Sequence, residues 1–317
     1  MGDSLSSSKH FTLQQLDSGI HAAIASDGGW AVGNAGIIDL GDHTMVFDTF
    51  VNVSPATELK EAAERATGRT VDYVVNSHAH RDHYRGNQVF TDAIIVADRK
   101  SRDEMAKRKR NESERVQIEG LDPIRSEVEE EFKYWKSNPT TTEQDKVLWD
   151  GYRDGILHGL DTYKLRVPDL SFETTMTFHG AETDAEAITY GGGHSQSDAL
   201  LYLPEERIAF LGDLLFINYQ PALFNGDPNE LLRILDKVEA LDAKTLVPGH
   251  GPVGTSKDIA PMRDYVAALE KTVEETVASG GGPERAAEKP IAAPFDSWKW
   301  HSFYKENIEF LFQRRIK

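Results

Sequence analysis

Up to about residue 98 the chain alternates short apolar runs with turn residues. Phe11–Leu16, Ile20–Ser26, Trp30–Leu40 and Thr44–Asp48 read as strands, divided by Asp17-Ser18-Gly19, Asp27-Gly28-Gly29 and Gly41-Asp42. Ser54-Pro55 then opens a helix to about Thr67, with Ser54 as N-cap and Pro55 in the first turn. Val71–Val75 is an apolar strand ending at Asn76-Ser77, and Ala93–Ala97 is the next strand.

From residue 99 to about 166 the period changes. Ile124, Val128, Phe132 and Trp135 share one helical face, and Leu148, Tyr152, Ile156 and Leu160 repeat the pattern. This stretch reads as a helical insertion between two β-rich halves. Strands resume at Phe172–Phe178, Ala187–Tyr190, Ala199–Leu203 and Ile208–Leu211. Glu230–Leu241 is helical, and Thr245–Val247 is a last short strand. Met262, Val266, Leu269 and Val273 mark a C-terminal helix. The aromatic tail after it, including Trp298, Trp300, Phe303 and Tyr304, reads as packing.

Chemistry enters where these strands end. His78-x-His80-x-Asp82-His83 directly follows an apolar strand. On an extended loop, alternate residues point the same way, so His78 and His80 can grip one metal. Asp82 and His83, where the loop turns, then face a second. Imidazole with carboxylate suits zinc, iron or manganese. His194 after Gly191-Gly192-Gly193, Asp213 in Leu211-Gly212-Asp213 and His250 in Pro248-Gly249-His250-Gly251 each sit where a strand enters a Gly-rich loop. The glycines before His194 are read as letting backbone crowd a ligand. His10, His21, His43, His158, His179 and His301 stand outside these motifs and read as surface or packing residues.

Composition narrows the classes. The 317-residue chain has no cysteine, which excludes disulfides, zinc–thiolate sites, Cys nucleophiles and thiolate-bound iron–sulfur clusters, and fits the cytoplasm. A net charge of -17 repels phosphate backbones and anionic membranes, so neither nucleic acid nor a membrane is expected as a partner. The basic run Lys107-Arg108-Lys109-Arg110 is flanked by Glu104, Glu112 and Glu114 and reads as a solvated helix face. Met1 to Ser6 lacks the basic start and apolar stretch of a secretory signal. Its Gly2 and Ser6 fit the loose myristoylation pattern, read as a chance match.

The ordered set His78, His80, Asp82, His83, His194, Asp213 and His250 resembles the complete metal signature of the metallo-β-lactamase superfamily, over about residues 11 to 255. Val46-Phe47-Asp48-Thr49 resembles that family's early strand, whose aspartate supports the metal ligands from behind. The resemblance implies an α/β fold, an αββα sandwich of two mixed β-sheets flanked by helices. One domain would then span residues 1–317, with the insertion at about 99–166 and C-terminal helices at about 256–317. It further implies two divalent metal ions, Zn2+ first and Mn2+ or Fe2+ as alternatives. His78, His80 and His194 would bind one, Asp82, His83 and His250 the other, and Asp213 would bridge them. A metal-bound hydroxide would cleave a small-molecule ester, lactone, thioester or β-lactam bond. Asp82 would be the catalytic residue, orienting the nucleophile or relaying a proton.

Departures from named subfamilies narrow this further. Asp213 stands where many zinc β-lactamases carry Cys, and His80 stands where flavodiiron oxygen reductases carry Glu. Glyoxalase II-type thioester hydrolases and acyl-homoserine lactone lactonases share the His/Asp set, but no glutathione-binding residues are identifiable. Tyr219, six residues after Asp213, could polarise a substrate carbonyl as a lactonase tyrosine does, or be an ordinary loop residue. The alternatives are a mononuclear-iron persulfide dioxygenase and a phosphodiesterase on the same fold. Phe132, Trp135, Trp149 and Tyr152 make the insertion a candidate pocket wall, with homodimer contact as the alternative.

Overall fold

The apolar faces of the early strands meet in a single sheet. The computed structural model describes residues 8–316, so Gly2 and Ser6 lie outside the described residues. Strands β1 (Phe11–Asp17), β2 (Ile20–Ala25), β3 (Ala35–Asp39), β4 (Thr44–Phe47), β5 (Tyr73–Val75), β6 (Ile94–Asp98) and β7 (Leu170–Phe172) form a seven-stranded sheet in sequence order. The first four pair antiparallel; β4 to β7 pair parallel. A second, five-stranded sheet has the order β12-β11-β10-β9-β8. It contains β8 (Thr175–Phe178), β9 (Ala185–Gly191), β10 (Asp198–Leu203), β11 (Ile208–Phe216) and β12 (Thr245–His250). Only β11 and β12 pair parallel in it.

The two sheets stack face to face. Ile38, Met45, Phe47 and Val96 of the first meet Ala187, Leu201, Phe210 and Val247 of the second in one buried cluster. Helix α1 (Val53–Thr67) covers the outer face of the first sheet, burying Ala56, Leu59, Ala62 and Ala63 against Ile37, Val46 and Val74. Its N-cap is Asn52, not the expected Ser54. The Asn52 carbonyl accepts from the Ser54 N–H, and its amide reaches Gly155 O in the insertion at 2.6 Å. A four-residue helix, α2 (Arg81–Tyr84), follows β5. Helices α6 (Pro228–Ala240) and α7 (Ile259–Ala278) cover the second sheet, and α8 (Pro283–Ala287) and α9 (Phe303–Ile316) close the chain. Two mixed sheets flanked by helices are thus the architecture, and no described helix is long and apolar enough to cross a membrane.

Three expected strands differ. Residues 30–34 of the Trp30–Leu40 run are a loop, because Asn34 spends its amide on Pro248 O and Gly251 O, both at 2.9 Å, instead of on a ladder. The Phe172–Phe178 run is two strands: β7 ends the first sheet, and β8 begins the second after Glu173-Thr174. Strand β11 does not end at Asp213. It runs on to Phe216, with its ladder to β12 slipping register around Gly212.

The insertion forms α3 (Arg99–Glu119), α4 (Asp122–Ser137) and α5 (Glu143–Gly159). Val128, Phe132, Trp149 and Ile156 join the cluster that also buries Trp300, Phe303 and Phe312 of the chain's end. Asp145 ties the two segments together. It completes the Thr142 capping box of α5, and it also accepts from the His301 N–H and from His301 Nδ1 at 2.9 Å.

Candidate metal centre

Strand β5 delivers the chain to Ser77 and His78, and His80 follows in extended backbone (φ −92°, ψ 148°). The turn into α2 then swings Asp82 and His83 to another direction. His194 arrives on the β9–β10 loop, Asp213 from within β11, and His250 as the last residue of β12. The donor atoms of His78, His80, His194 and Asp213 lie within 4.8 Å of one another. Those of Asp82, His83 and His250 do likewise.

Asp213 joins the groups. Its Oδ2 is 3.1 Å from His194 Nε2 and 3.7 Å from His78 Nε2, and its Oδ1 is 3.1 Å from His83 Nε2 and 3.4 Å from His250 Nε2. Asp82 Oδ2 stands 3.6 Å from His83 Nε2 and 3.4 Å from His250 Nε2, and Nδ1 of His80 is 2.9 Å from His194 Nε2. Nε2 of His78, Nε2 of His83 and Oδ1 of Asp213 are buried without a hydrogen-bond partner. Such atoms are costly unless something positive binds them. The set of imidazole nitrogens and carboxylates therefore fits divalent metal ions.

The ligands are held from behind. Asp48, fully buried on the strand side, accepts from the Ser77 N–H at 2.8 Å and the Ser77 hydroxyl at 2.7 Å, and its Oδ2 lies 2.8 Å from His83 Nδ1. Ser77 Oγ is 2.9 Å from His78 Nδ1, and Val32 O is 3.2 Å from His250 Nδ1. Fixing the outer nitrogen orients each ring with Nε2 inward. Asp198 accepts from the backbone N–H groups of Gly193, His194 and Ser195 and shapes the His194 loop. At Gly193 a Cβ would meet Leu231 of α6 at 2.7 Å, so that glycine makes room for a helix rather than for a ligand. Gly249 does crowd a ligand: a Cβ there would lie 1.8 Å from Asp213 Oδ1.

Electrostatics follow from this packing. Burial and the neighbouring His83 hold His78 well below the usual imidazole range, and burial with His194 does the same to His80. Burial also works against a charge on His83, but Asp213, Asp82 and Asp48 outweigh it and hold His83 well above that range. Burial alone would raise the Asp213 carboxyl; His83, His250 and His194 instead hold it well below the carboxylate range. The centre is a largely buried cluster that concentrates carboxylate charge.

A family model described as the metallo-beta-lactamase superfamily matches residues 28–250. The chain belongs to this superfamily. Two curated relatives align over shorter stretches. Metallo-beta-lactamase type 2 of Bacteroides fragilis is 31% identical over 107 residues, 32% of this chain and 43% of that protein. Hydroxyacylglutathione hydrolase of Synechococcus sp. (strain JA-3-3Ab) is 26% identical over 163 residues, 46% of this chain and 62% of that protein. The chain thus spans about half the length of the curated relatives it matches. Among solved structures, a metallo-beta-lactamase from Pontibacter korlensis has a TM-score of 0.57 at 16% identity, covering 80% of this chain and 97% of that one. A Pseudomonas aeruginosa metallo-beta-lactamase in mono-zinc form has a TM-score of 0.55 at 14% identity, covering 82% and 96%. These two show the shared fold.

Over these His and Asp donors the chain builds a cavity of about 560 Å³. His80, Asp82, His194, Asp213 and His250 form its floor, and all three insertion helices contribute to its walls, through Arg108, Phe132, Trp135, Trp149 and Tyr152. The insertion is a pocket wall. Arg108 of the basic run lines the rim, while Lys107, Lys109 and Arg110 are exposed. Tyr152 donates its hydroxyl to Asp82 Oδ1 at 3.0 Å. Tyr219 is placed elsewhere: its hydroxyl donates to Asp27 Oδ1 at 3.3 Å, lies 3.1 Å from Lys299 Nζ, and is absent from the described residues lining the cavity. Sequence reasoning missed Tyr152 as a partner of Asp82, and Ser77, Asp198 and Asn34 as supports. Tyr152 was readable as part of an apolar stripe and of an aromatic pocket wall, but not as a hydrogen-bond donor to Asp82. Asp198, four residues after His194, had a signal in the Ser195-Gln196-Ser197-Asp198 turn composition.

Proposed function

We propose that this chain is a metal-dependent hydrolase that holds two divalent ions, zinc first, and cleaves an ester, lactone, thioester or β-lactam bond of a small molecule. One observation carries the reading: the two oxygens of Asp213 face separate sets of histidine nitrogens, Oδ2 toward His78 and His194 and Oδ1 toward His83 and His250. A carboxylate so placed suits a bridge between two ions. Ions held there would lower the pKa of bound water to about 7 and so supply a nucleophile at neutral pH.

The chain's own residues do the rest. His78, His80 and His194 would hold one ion, and Asp82, His83 and His250 the other. Tyr152 fixes Asp82 Oδ1, which leaves Oδ2 turned to His83 and His250. Asp82 is then oriented to accept a proton from the attacking water and to return it to the leaving group. The insertion roofs the floor and limits water around the scissile bond. Metal analysis of gently purified protein, with add-back, is expected to give a ratio near two. Chelation is expected to abolish hydrolysis of at least one carbonyl substrate, and zinc or manganese to restore it. One iron per chain with no hydrolysis would overturn the proposal in favour of dioxygenase chemistry.

A further inference from the structure

The cavity is asymmetric. Its floor is polar, but the wall facing that floor is made of rings: Phe132, Trp135, Trp149 and Tyr152 from the insertion, and Trp300 and Phe303 from the chain's end. The three tryptophans form a stack, with Phe303 packed edge-on against it and Phe132 tilted. Trp149 lies 5.5 Å from Trp300 with planes 9° apart, and 5.7 Å from Trp135 at 22°. Trp300 in turn sits 4.4 Å from the ring of the floor residue His250. The wall therefore begins at the metal donors and runs outward.

The wall is maintained against a local cost. Trp300 has φ +61°, a left-handed conformation that a bulky side chain rarely adopts. It is held there by its backbone N–H donating to Asp145 Oδ1. Strain of this kind persists where the surroundings over-determine it, and it concentrates at ligand sites.

The rim adds the second half of the argument. Its two cations are already engaged: Arg81 pairs with Glu131, and Arg108 pairs with Glu104 at 2.7 Å. Glu112 adds a further acid at the same rim. Among the described lining residues there is no free cation to take a carboxylate or phosphate, and the chain as a whole carries -17.

Resting on the hydrolase reading above, we infer that the substrate is an uncharged ester or lactone bearing a planar apolar group beside the scissile carbonyl. The planar group packs against the cavity-facing edge of the Trp135–Trp149–Trp300 stack, chiefly at the half-buried Trp135, and the carbonyl reaches the His/Asp floor. Polyanionic thioesters and phosphodiesters are poor substrates by the same geometry. In hydrolysis, one water adds across the acyl C–O bond: its oxygen joins the carbonyl carbon, and its proton goes to the departing alkoxide.

The test compares dihydrocoumarin with δ-valerolactone on metal-loaded protein, each corrected for its rate in buffer. A glutathione thioester and bis(4-nitrophenyl) phosphate are run beside them. Dihydrocoumarin, which leaves as a phenoxide, is expected to exceed δ-valerolactone in kcat/KM by its leaving group and by about tenfold more from one aromatic packing contact plus its buried area. Trp135→Ala, which removes a half-buried ring, is expected to shrink that ratio by about tenfold with metal content retained. A readout independent of turnover uses the unreactive lactams 3,4-dihydroquinolin-2-one and δ-valerolactam, titrated by tryptophan fluorescence. Tighter binding of the aromatic lactam supports the inference; equal affinity overturns it. Preferential turnover of the glutathione thioester also overturns it. Failure to hydrolyse anything with both ions bound would sink the hydrolase reading, and the lactam titration would still decide this one.

Discussion

The floor and the wall of the cavity are built on opposite plans. The floor comes from strand ends and short loops of the two sheets, and buried polar partners hold His78 through Ser77, His83 through Asp48 and the His194 loop through Asp198. The wall comes from the insertion and the chain's end, and ring packing holds it, with Asp145 joining its halves through His301 beside hydrogen bonds from Tyr134 to Glu306 and from Trp149 to Ser302. A floor residue fixed by hydrogen bonds has little room to vary. A wall fixed by dispersion can change shape ring by ring while the floor stays as it is. The comparison teaches where the chemistry and the selectivity of this molecule reside.

The largest effect should come from the floor. Asp213→Ala removes the one carboxylate that faces both donor groups, so hydrolysis should fall to background and both ions should be lost. Elemental analysis and circular dichroism check this together: an intact fold with metal gone is the expected pair. Retention of both ions would break the division between bridging floor and supporting wall. Next comes Asp48→Asn, which keeps the shape of the side chain but weakens its grip on His83. Changes behind a metal ligand typically cost about 10–100-fold in metal affinity or activity. Competition with a chromophoric chelator is the measurement, and an unchanged affinity would show that Ser77 alone orients the centre.

Tyr152 belongs to both regions and sharpens the contrast. Its ring packs against Phe132 at 5.2 Å, while its hydroxyl bonds Asp82. Tyr152→Phe should leave the wall intact and lower kcat by about tenfold, since a hydrogen bond to a charged group contributes about 1.5–3 kcal/mol and cavity water replaces part of it. Both ions should remain bound. A change confined to KM would assign Tyr152 to the wall alone.

The same contrast explains what the sequence could disclose. The six-residue run from His78 to His83 concentrates four donors after an apolar strand, and His194, Asp213 and His250 each sit beside glycine. Such chemistry is local and therefore legible. So were the sheet strands with strict alternation and two of the three insertion helices, α4 and α5, with their periodic stripes. What escaped is long-range. Trp30–Leu40 looked like one strand because nothing nearby shows that Asn34 serves Pro248 and Gly251, more than 200 residues away. Trp300 read as packing, and it does pack, but its place over His250 depends on Asp145, 155 residues earlier. Tyr219 and Tyr152 carry the same side chain, and only folding decides which of them reaches Asp82.

The smallest effect concerns the tie that holds the wall together, and its sign can be worked out. Burial alone would raise the Asp145 carboxyl, but the hydrogen bonds from His301, Thr142 and Trp300 outweigh it and hold it below the usual 3.8. The hydrogen bond to Asp145 outweighs burial and holds His301 above its usual 6.5. Asp145 therefore stabilises the fold in full above pH 3.8, and that contribution is lost as pH falls through its lower folded value. His301 stabilises in full below pH 6.5, and its contribution is lost as pH rises through its higher folded value. Between these limits both are present. The Tm gap between the native protein and Asp145→Asn, measured in chelator so that metal binding does not intrude, should be widest between these two pH values and narrow on either side. A gap that stays constant from pH 3 to pH 9 would mean that Asp145 acts on the wall through neutral hydrogen bonds to Thr142 and Trp300 alone, with no contribution from the charge on His301.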